Sequence, residues 1–492
     1  PEEISECFAN LGVTAVVTSS PDRAEVEIAR TLALPLVVLT RHGARISARC
    51  ENGRKRASQG TTDNSALLMQ TSGTTSKPKL VRLTHRNILA AAGAIRDAFS
   101  LGEVDHCLNP MPLHHVHGLI SAALSSLLSG SRVTCTEAFS VRGFEELLVA
   151  LEPTWFTASP AMHLALLEHF KAEGHAPPKG RLRFFRSSSA PLPASSIGAL
   201  EDLFAAPLVE TYGLTETASM ICTNPLPPAV RKVGSVGFAV GAEICIADAE
   251  GRPQAPGQHG EILVRGPSVI ERYAGSATRA DAFFGDWLRT GDLGYLDEDG
   301  YLFIVGRAKE LIKRGGLSVY PAEIDDKLNA HPGVADAIAF SLPHPTLGEE
   351  LVAAVVPRAN ASLSARELKA YLTQALSSYK VPTEIVLVAA IPKNETGKAL
   401  RREMATKLAA AFAPRSVAPE GDAEGVLLRA WQNVLSRADI GVTDNVFVFG
   451  GDPLRAERVS QMLREQHGLT IPARMLMSLP TVREQAAHCV AL

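Results

Sequence analysis

Short β-branched runs alternate with helix-like stretches from the start of the chain, and no other feature limits its folding so sharply. The first forty residues read helix, strand, helix, strand: Glu3–Asn10, Ala15–Thr18 (AVVT), Ala24–Leu32 and Leu34–Leu39 (LPLVVL). Buried strands alternating with helices predict an α/β layer around a parallel sheet. Residues 41–64 lose the pattern and read as a polar, basic loop. From Ser65 to about Pro228 the alternation resumes, with Gly118–Leu128 as an apolar helix packed on the sheet. Arg231–Tyr273 changes character. Short strands at Glu243–Ala247 and Glu261–Val264, punctuated by Gly and Pro, predict a small β subdomain. Asp297–Gly300 (DEDG) marks a hairpin turn, and a smaller α+β stretch runs from Gly306 to about Ala411.

The C-terminal end is separate. Residues 413–424 (APRSVAPEGDAE) read as a linker. In 425–492, Leu427, Leu428, Trp431, Val434 and Leu435 fall at helix spacing, as do Leu454, Val459, Met462 and Leu463. A length of 492 residues agrees with about three domains.

Composition closes several alternatives. The net charge of −3 gives no electrostatic case for nucleic acid or an anionic membrane. The longest apolar run is the seven residues Ile385–Ile391, far short of the about 20 that span a bilayer. The seven cysteines are dispersed, with no C-x-x-C pair, so neither a disulfide framework nor a zinc site is expected. A reduced, cytoplasmic setting is the simplest expectation. The chain opens on Pro1 rather than Met, which predicts that further chain precedes it.

Four segments carry chemistry. Thr71–Lys79 (TSGTTSKPK) offers hydroxyls, backbone N–H groups and a lysine to phosphate oxygens, and lacks the Walker A spacing. Read alone, it would also serve as a Ser/Thr linker. Tyr212–Thr217 (YGLTET) follows a short strand, Pro207–Glu210. It pairs an aromatic face for a purine with a Thr-Glu pair for a phosphate and its Mg²⁺; a surface carboxylate at a strand end is the plainer alternative. Thr290–Tyr295 (TGDLGY) and Gly306–Glu310 (GRAKE) place Asp292 to accept from ribose hydroxyls, with Arg307 beyond the hairpin; a turn aspartate is the alternative. Pro392–Lys398 (PKNETGK) puts a lysine on a polar turn, where it reaches phosphoryl charge or simply faces solvent.

Together with PLHHVHGL, RSSSAPLP and PKNETGKALRRE, these segments resemble the ANL superfamily of acyl-adenylating enzymes over about residues 1–410. TSGTTS, HVHGL, WFTASPAMH, LRFFRSSSA and TNPLPP are most similar to the oxalate–CoA ligase group. The resemblance implies a two-lobed α/β fold: a large lobe at 1–307, lacking its first strands, and a small α+β lobe at 308–412. It implies ATP, Mg²⁺ and coenzyme A as cofactors and a small carboxylic acid such as oxalate as substrate. Ser72, Gly73, Thr74, Thr75, Ser76 and Lys79, after Thr71, would line the triphosphate loop. Ser189, Ala190, Pro191 and Tyr212 would bound the adenine. Thr215 would touch the α-phosphate, Glu216 would hold Mg²⁺, and Asp292 and Arg307 would bind ribose. Lys309 matches the hinge between lobes, and Lys398 the catalytic lysine of adenylation. Gly315 and Gly316 match the loop that approaches the pantetheine thiol.

His115 and His117 fall, by the same resemblance, in the acyl pocket or its gate. His114 stands where oxalate–CoA ligases have Phe, and Leu80 where the family often has Gly. A metal on the histidine cluster is the less favoured reading, because structural zinc sites usually add Cys or a distant ligand. Residues 425–492 resemble a phosphopantetheine carrier module through Asp444–Phe447, FGGD at 449–452 and Leu479-Pro-Thr481. Carriers attach their group to a serine in GGDSL; here that position is Pro453, and a plain helical appendage is the alternative. Two rival functions stay open: an adenylation unit that loads a carrier protein, and a degenerate non-catalytic chain.

Overall fold

The computed structural model describes the chain apart from residues 1–14, 19–23, 43–44, 52–63, 72–78, 178–179, 275–281, 346, 360, 394–398, 400, 489 and 492. The expected helix Glu3–Asn10 lies outside the described residues. The helix Ala24–Thr31 and the strands Val16–Thr18 and Leu36–His42 form as the alternation predicts, and those two strands pair parallel. The polar loop expected at 41–64 is corrected in part. Arg45–Glu51 is a strand paired antiparallel to Leu36–His42 in full register. Its sequence, RISARCE, places Ile46, Ala48 and Cys50 at a period of two, which a hairpin edge accepts despite the flanking charge.

The centre of the molecule is a seven-stranded sheet. Arg132–Cys135, His106–Asn109, Trp155–Ala158, Phe184–Ser187 and Leu208–Leu214 run parallel, and Ser219–Thr223 and Phe238–Ala239 continue antiparallel. The inner strands WFTA and FFRS are fully buried and mostly apolar because both faces are covered. On one face Leu108, Phe156, Phe185 and Leu208 pack under Val141–Leu151, Pro160–Glu173 and Ala194–Phe204. On the other, Cys107, Trp155, Phe184 and Val209 pack against Ile95, Phe99 and Ala122. The segment expected as one helix, Gly118–Leu128, is a wider-wound π-helix over His117–Leu124 that tightens into an α-helix at Ser125–Leu128.

Strands Glu243–Ala247, Gly260–Arg265, Phe283–Phe284, Trp287–Leu296 and Leu302–Arg307 build an antiparallel subdomain, with the DEDG hairpin between the last two. Ser65–Thr71 and Lys79–Thr84 pair antiparallel, with Thr71 opposite Lys79, and Tyr273–Ala274 joins the outer edge. After Arg307 a second sheet follows, from Ile312–Arg314, Leu317–Val319, Val334–His344, Gly348–Pro357 and Glu384–Leu387. Helices Pro321–Asn329 and Ala365–Ala375 cover it through Ile324, Leu328, Leu368 and Leu372.

The C-terminal helices, Asp422–Leu435, Pro453–His467, Ala473–Ser478 and Val482–Ala486, enclose a core around Trp431. The first begins at Asp422, inside the segment read as linker. Leu454, read above with the apolar helical set, is 79% exposed. The buried face of this helix is Ala456, Val459 and Leu463, and Leu454 at the second helical position falls off it. The Trp431 indole donates to Gln485 Oε1 at 2.7 Å, and Gln485 Nε2 donates on to the carbonyls of Leu476 and Leu479. The module rests on the small lobe through Asn445, whose Nδ2 donates to the Thr383 carbonyl and to Glu384 Oε2. Among the described residues, no helix is long and apolar enough to cross a membrane.

Trp431→Ala should destabilise this helical module by about 3–5 kcal/mol, because it removes the module's largest buried side chain and the indole hydrogen bond to Gln485 Oε1. A lowered urea midpoint for the module's unfolding is the check.

Candidate active site

The loops that matter leave the carboxyl ends of the parallel strands, where open α/β sheets hold their ligands. His106–Asn109 leads into Pro112–His117, Phe184–Ser187 into Ser188–Pro191, and Leu208–Leu214 into Thr215–Thr217. In the last case YGL belongs to the strand itself, a longer strand than the Pro207–Glu210 expected. Gly213 is obligatory there. A Cβ on it would lie 1.7 Å from the Ser219 carbonyl oxygen of the adjacent antiparallel strand.

Two polar clusters form beside this edge. In the first, Tyr212 donates from its hydroxyl to Asp292 Oδ2 at 2.6 Å, and Arg307 Nε meets Asp292 Oδ1 at 3.0 Å. Asp292 and Arg307 are direct partners across the Trp287–Leu296/Leu302–Arg307 ladder. Burial, then the Asp292 charge, holds the Tyr212 phenol well above its ordinary range, so it stays a donor. In the second, Lys79 Nζ sits 4.4 Å from the centre of the Tyr273 ring, and the Tyr273 hydroxyl donates to Glu216 Oε1 at 2.8 Å. The clusters share a field: the charges of Asp292, Glu310 and Glu216 all act on Arg307. Lys309 is held below the ordinary lysine range by burial and then by the positive charges of Lys79, Arg402 and Arg307. This gathering of cations at the lobe junction suits a polyanion.

The third cluster is buried. His117 pairs through Nδ1 with Ser189 Oγ at 2.9 Å and through Nε2 with Thr157 Oγ1 at 2.6 Å. Arg186 Nε donates to the same Thr157 oxygen at 3.0 Å. Ser189, with φ +80°, is at the exposed end of this chain. Burial, then the Arg186 charge, pushes His117 well below the ordinary histidine range, so the ring is neutral. His115 is half-buried, and its ring lies 4.5 Å from that of exposed His114. Among the described residues no group of three or more His, Cys, Asp or Glu could hold a metal ion.

The other sequence-derived sites fall as follows. Thr215 and Glu216 are half-buried in a single 3₁₀ turn, Thr215–Thr217. Ala190 and Pro191 follow Ser189 in the loop after the fourth parallel strand. Gly315 and Gly316, at φ +57° and +86°, form the exposed turn between Ile312–Arg314 and Leu317–Val319. Lys309 lies in the turn that joins the lobes, and its carbonyl accepts from Arg402. Ser72, Gly73, Thr74, Thr75, Ser76 and Lys398 lie outside the described residues.

Three residues were missed from sequence. Tyr273 sits in a stretch read only as β subdomain, and no local signal marks it. Thr157 and Arg186 did carry one: a hydroxyl and a charge inside otherwise apolar buried strands, WFTA and FFRS.

The family model for "AMP-binding enzyme" matches residues 1–274, its C-terminal domain model 323–398, and "Phosphopantetheine attachment site" 425–489. The chain belongs to the AMP-binding enzyme family. Within the family it is 42% identical over 346 residues to a probable CoA ligase, CCL9, of Humulus lupulus, covering 69% of this chain and 65% of that protein. It is 40% identical to the oxalate–CoA ligase of Arabidopsis thaliana, covering 70% of this chain and 67% of that one. Identity with the sulfoacetate–CoA ligase of Cupriavidus necator is 41%, with the same coverage, 70% and 67%. The match thus spans about two thirds of these relatives' length. ATP-bound MatB from Rhodopseudomonas palustris superposes with a TM-score of 0.73 at 27% identity, covering 83% of this chain and 81% of that one.

The carrier-like module does not fit the prosthetic group its family model implies. Pro453 opens the helix at the attachment position, capped by Asp452, and proline has no hydroxyl. Ser460 is buried and donates its hydroxyl to the Ile471 carbonyl at 2.7 Å.

The buried histidines set a pH response. Burial brings His163 down from 6.5 to about 4. The unfolded chain then binds the extra proton, so this contribution to stability is complete above pH 6.5 and lost as pH falls toward about 4. The loss should be on the order of 3 kcal/mol. Urea melts across this range are the check, and His163→Gln should flatten the slope.

Proposed function

We propose that the chain is an ATP-dependent carboxylic acid–CoA ligase that works through an acyl-adenylate, with a small acid such as oxalate as substrate. The observation that carries this reading is the pair of clusters at the sheet edge: a carboxylate held by Tyr212 and Arg307 beside a carboxylate–phenol–lysine set at Glu216, Tyr273 and Lys79. The CoA-ligase relatives support it, and the division into lobes 1–307 and 308–412, linker 413–424 and module 425–492 is the working frame.

In this reading each oxygen of Asp292 holds one protein donor and keeps a lone pair for a ribose hydroxyl. Ser189, Ala190, Pro191 and Tyr212 bound the adenine. Lys79 and the hydroxyl loop Thr71, Ser72, Gly73, Thr74, Thr75 and Ser76 cradle the phosphates, and Thr215 donates to the α-phosphate. Glu216 engages only Oε1 with Tyr273 among the described hydrogen bonds, so Oε2 fits a magnesium ion. Mg²⁺ bound there would neutralise phosphate charge. The acid's carboxylate oxygen attacks the α-phosphorus, the bond to the bridging oxygen breaks, and pyrophosphate leaves. Lys398 offsets the charge that develops. The small lobe then turns about Lys309 and brings Gly315 and Gly316 to the site. The coenzyme A thiolate attacks the acyl carbon and AMP departs. His115 and His117 line the acid's approach.

Acid-dependent pyrophosphate release from MgATP, with oxalate, malonate, acetate and a medium-chain acid, each with and without coenzyme A, tests the reading. Release with oxalate that rises with coenzyme A is expected; no release with any acid overturns it. Lys398→Ala should slow adenylation by about 10²–10³-fold while ATP still binds. Adenylation at the parental rate would remove Lys398 from the mechanism.

A further inference from the structure

Arg186 is the one charged side chain among the largest fully buried ones, at 0% exposure in the middle of the central sheet. Its Nε is satisfied by Thr157, but Nη1 and Nη2 have no hydrogen-bond partner among the described residues. No acidic side chain is among the groups that act on it. The titratable groups beside it are the Cys107 thiol, which burial keeps protonated, and the neutral ring of His117. Burial lowers the guanidinium only to about 10, so it stays a cation at neutral pH. A buried charge with no counter-charge is among the costliest arrangements in a protein interior. An apolar residue would fill the same space more stably.

The guanidinium is not isolated from the site. The hydrogen-bonded chain Arg186–Thr157–His117–Ser189 leads from it to the exposed loop after the same strand. His117, the middle link, begins the π-helical segment His117–Leu124, and such widened turns recur at functional sites.

We propose that Arg186 is the counter-charge for a second anionic group on the acid substrate, a distal carboxylate or sulfonate, and so selects dianionic acids over simple monocarboxylates. This rests on the acid–CoA ligase reading and narrows its substrate class. Two Nη donors match a carboxylate or sulfonate edge bidentately. Neutral His117 and Thr157 add hydrogen bonds without competing charge. The names of two relatives agree in chemistry: oxalate and sulfoacetate each carry a second anionic group.

The test compares the full chain with Arg186→Met and Arg186→Lys. Two readouts are used: thermal stabilisation by oxalate, sulfoacetate or acetate in the presence of AMP, and pyrophosphate release at varied acid and ATP. The parent should be stabilised by oxalate or sulfoacetate more than by acetate at equal concentration, and Arg186→Met should lose that difference. KM for the dianionic acid should rise about 100-fold in Arg186→Met, and KM for ATP should not move with it. Arg186→Lys keeps the charge but not the fork, so a rise of about tenfold is expected; it carries the comparison if the methionine variant does not fold. Equal stabilisation by acetate and the dianions in the parent, or a dianion KM unmoved in either variant, overturns the proposal. Dianion stabilisation that depends on Arg186 without any pyrophosphate release would instead retain Arg186 as an anion site and reject the ligase reading.

Discussion

Asp292 accepts from Tyr212 of the central sheet and pairs with Arg307 at the exit of the β subdomain, so one carboxylate joins the parts on which the site depends. Tyr212 comes from a strand buried on both faces. Asp292 and Arg307 come from an antiparallel ladder with its own register. Two residues beyond Arg307 lies Lys309, in the turn that begins the small lobe. Geometry at this carboxylate therefore fixes where the sheet edge stands against the subdomain, and from what point the small lobe departs. Because the carboxylate is buried, its two partners act in a low dielectric, where misplacement of either is costly.

The rest of the site follows from the parallel sheet. Parallel pairing sends successive loops out at one edge, and the loops after three strands supply His117, Ser189 and Glu216. The strands that feed them carry polar residues inward at Thr157 and Arg186, against an otherwise apolar face. That departure from core chemistry is tolerable only where hydrogen bonds or a ligand satisfy it. The neutral histidine between them passes hydrogen bonds along without adding a second buried charge.

The C-terminal module stands apart from this chemistry. It keeps the helical core and the capped second helix of a carrier, and Asn445 ties it to the small lobe. Where the carrier motif has serine this chain has Pro453, which suits the first turn of a helix and offers no hydroxyl to a phosphopantetheine phosphate.

Much of the fold was legible in the chain, because patterns of period two and 3.6 are local. Glu243–Ala247 reads as a strand, DEDG as a hairpin and Trp431 as part of an apolar helical set without any knowledge of partners. YGLTET and Asp292 stand out as local groupings of residue types, and the structure places Tyr212, Glu216 and Asp292 in its polar clusters; residues 72–78 and Lys398 lie outside the described residues. Pairing across distance was not legible. Arg45–Glu51 becomes a strand only because Leu36–His42 offers an edge. Tyr273 joins Lys79 to Glu216 from nearly 200 residues along the chain, and no spacing rule reaches so far. The sequence by itself determined the layers, the motifs and the missing serine, because those depend on neighbours in the chain. Only the tertiary structure decided that Arg186 lies buried without a counter-charge among the described residues, because burial and hydrogen-bond satisfaction belong to packed neighbours, not to sequence order.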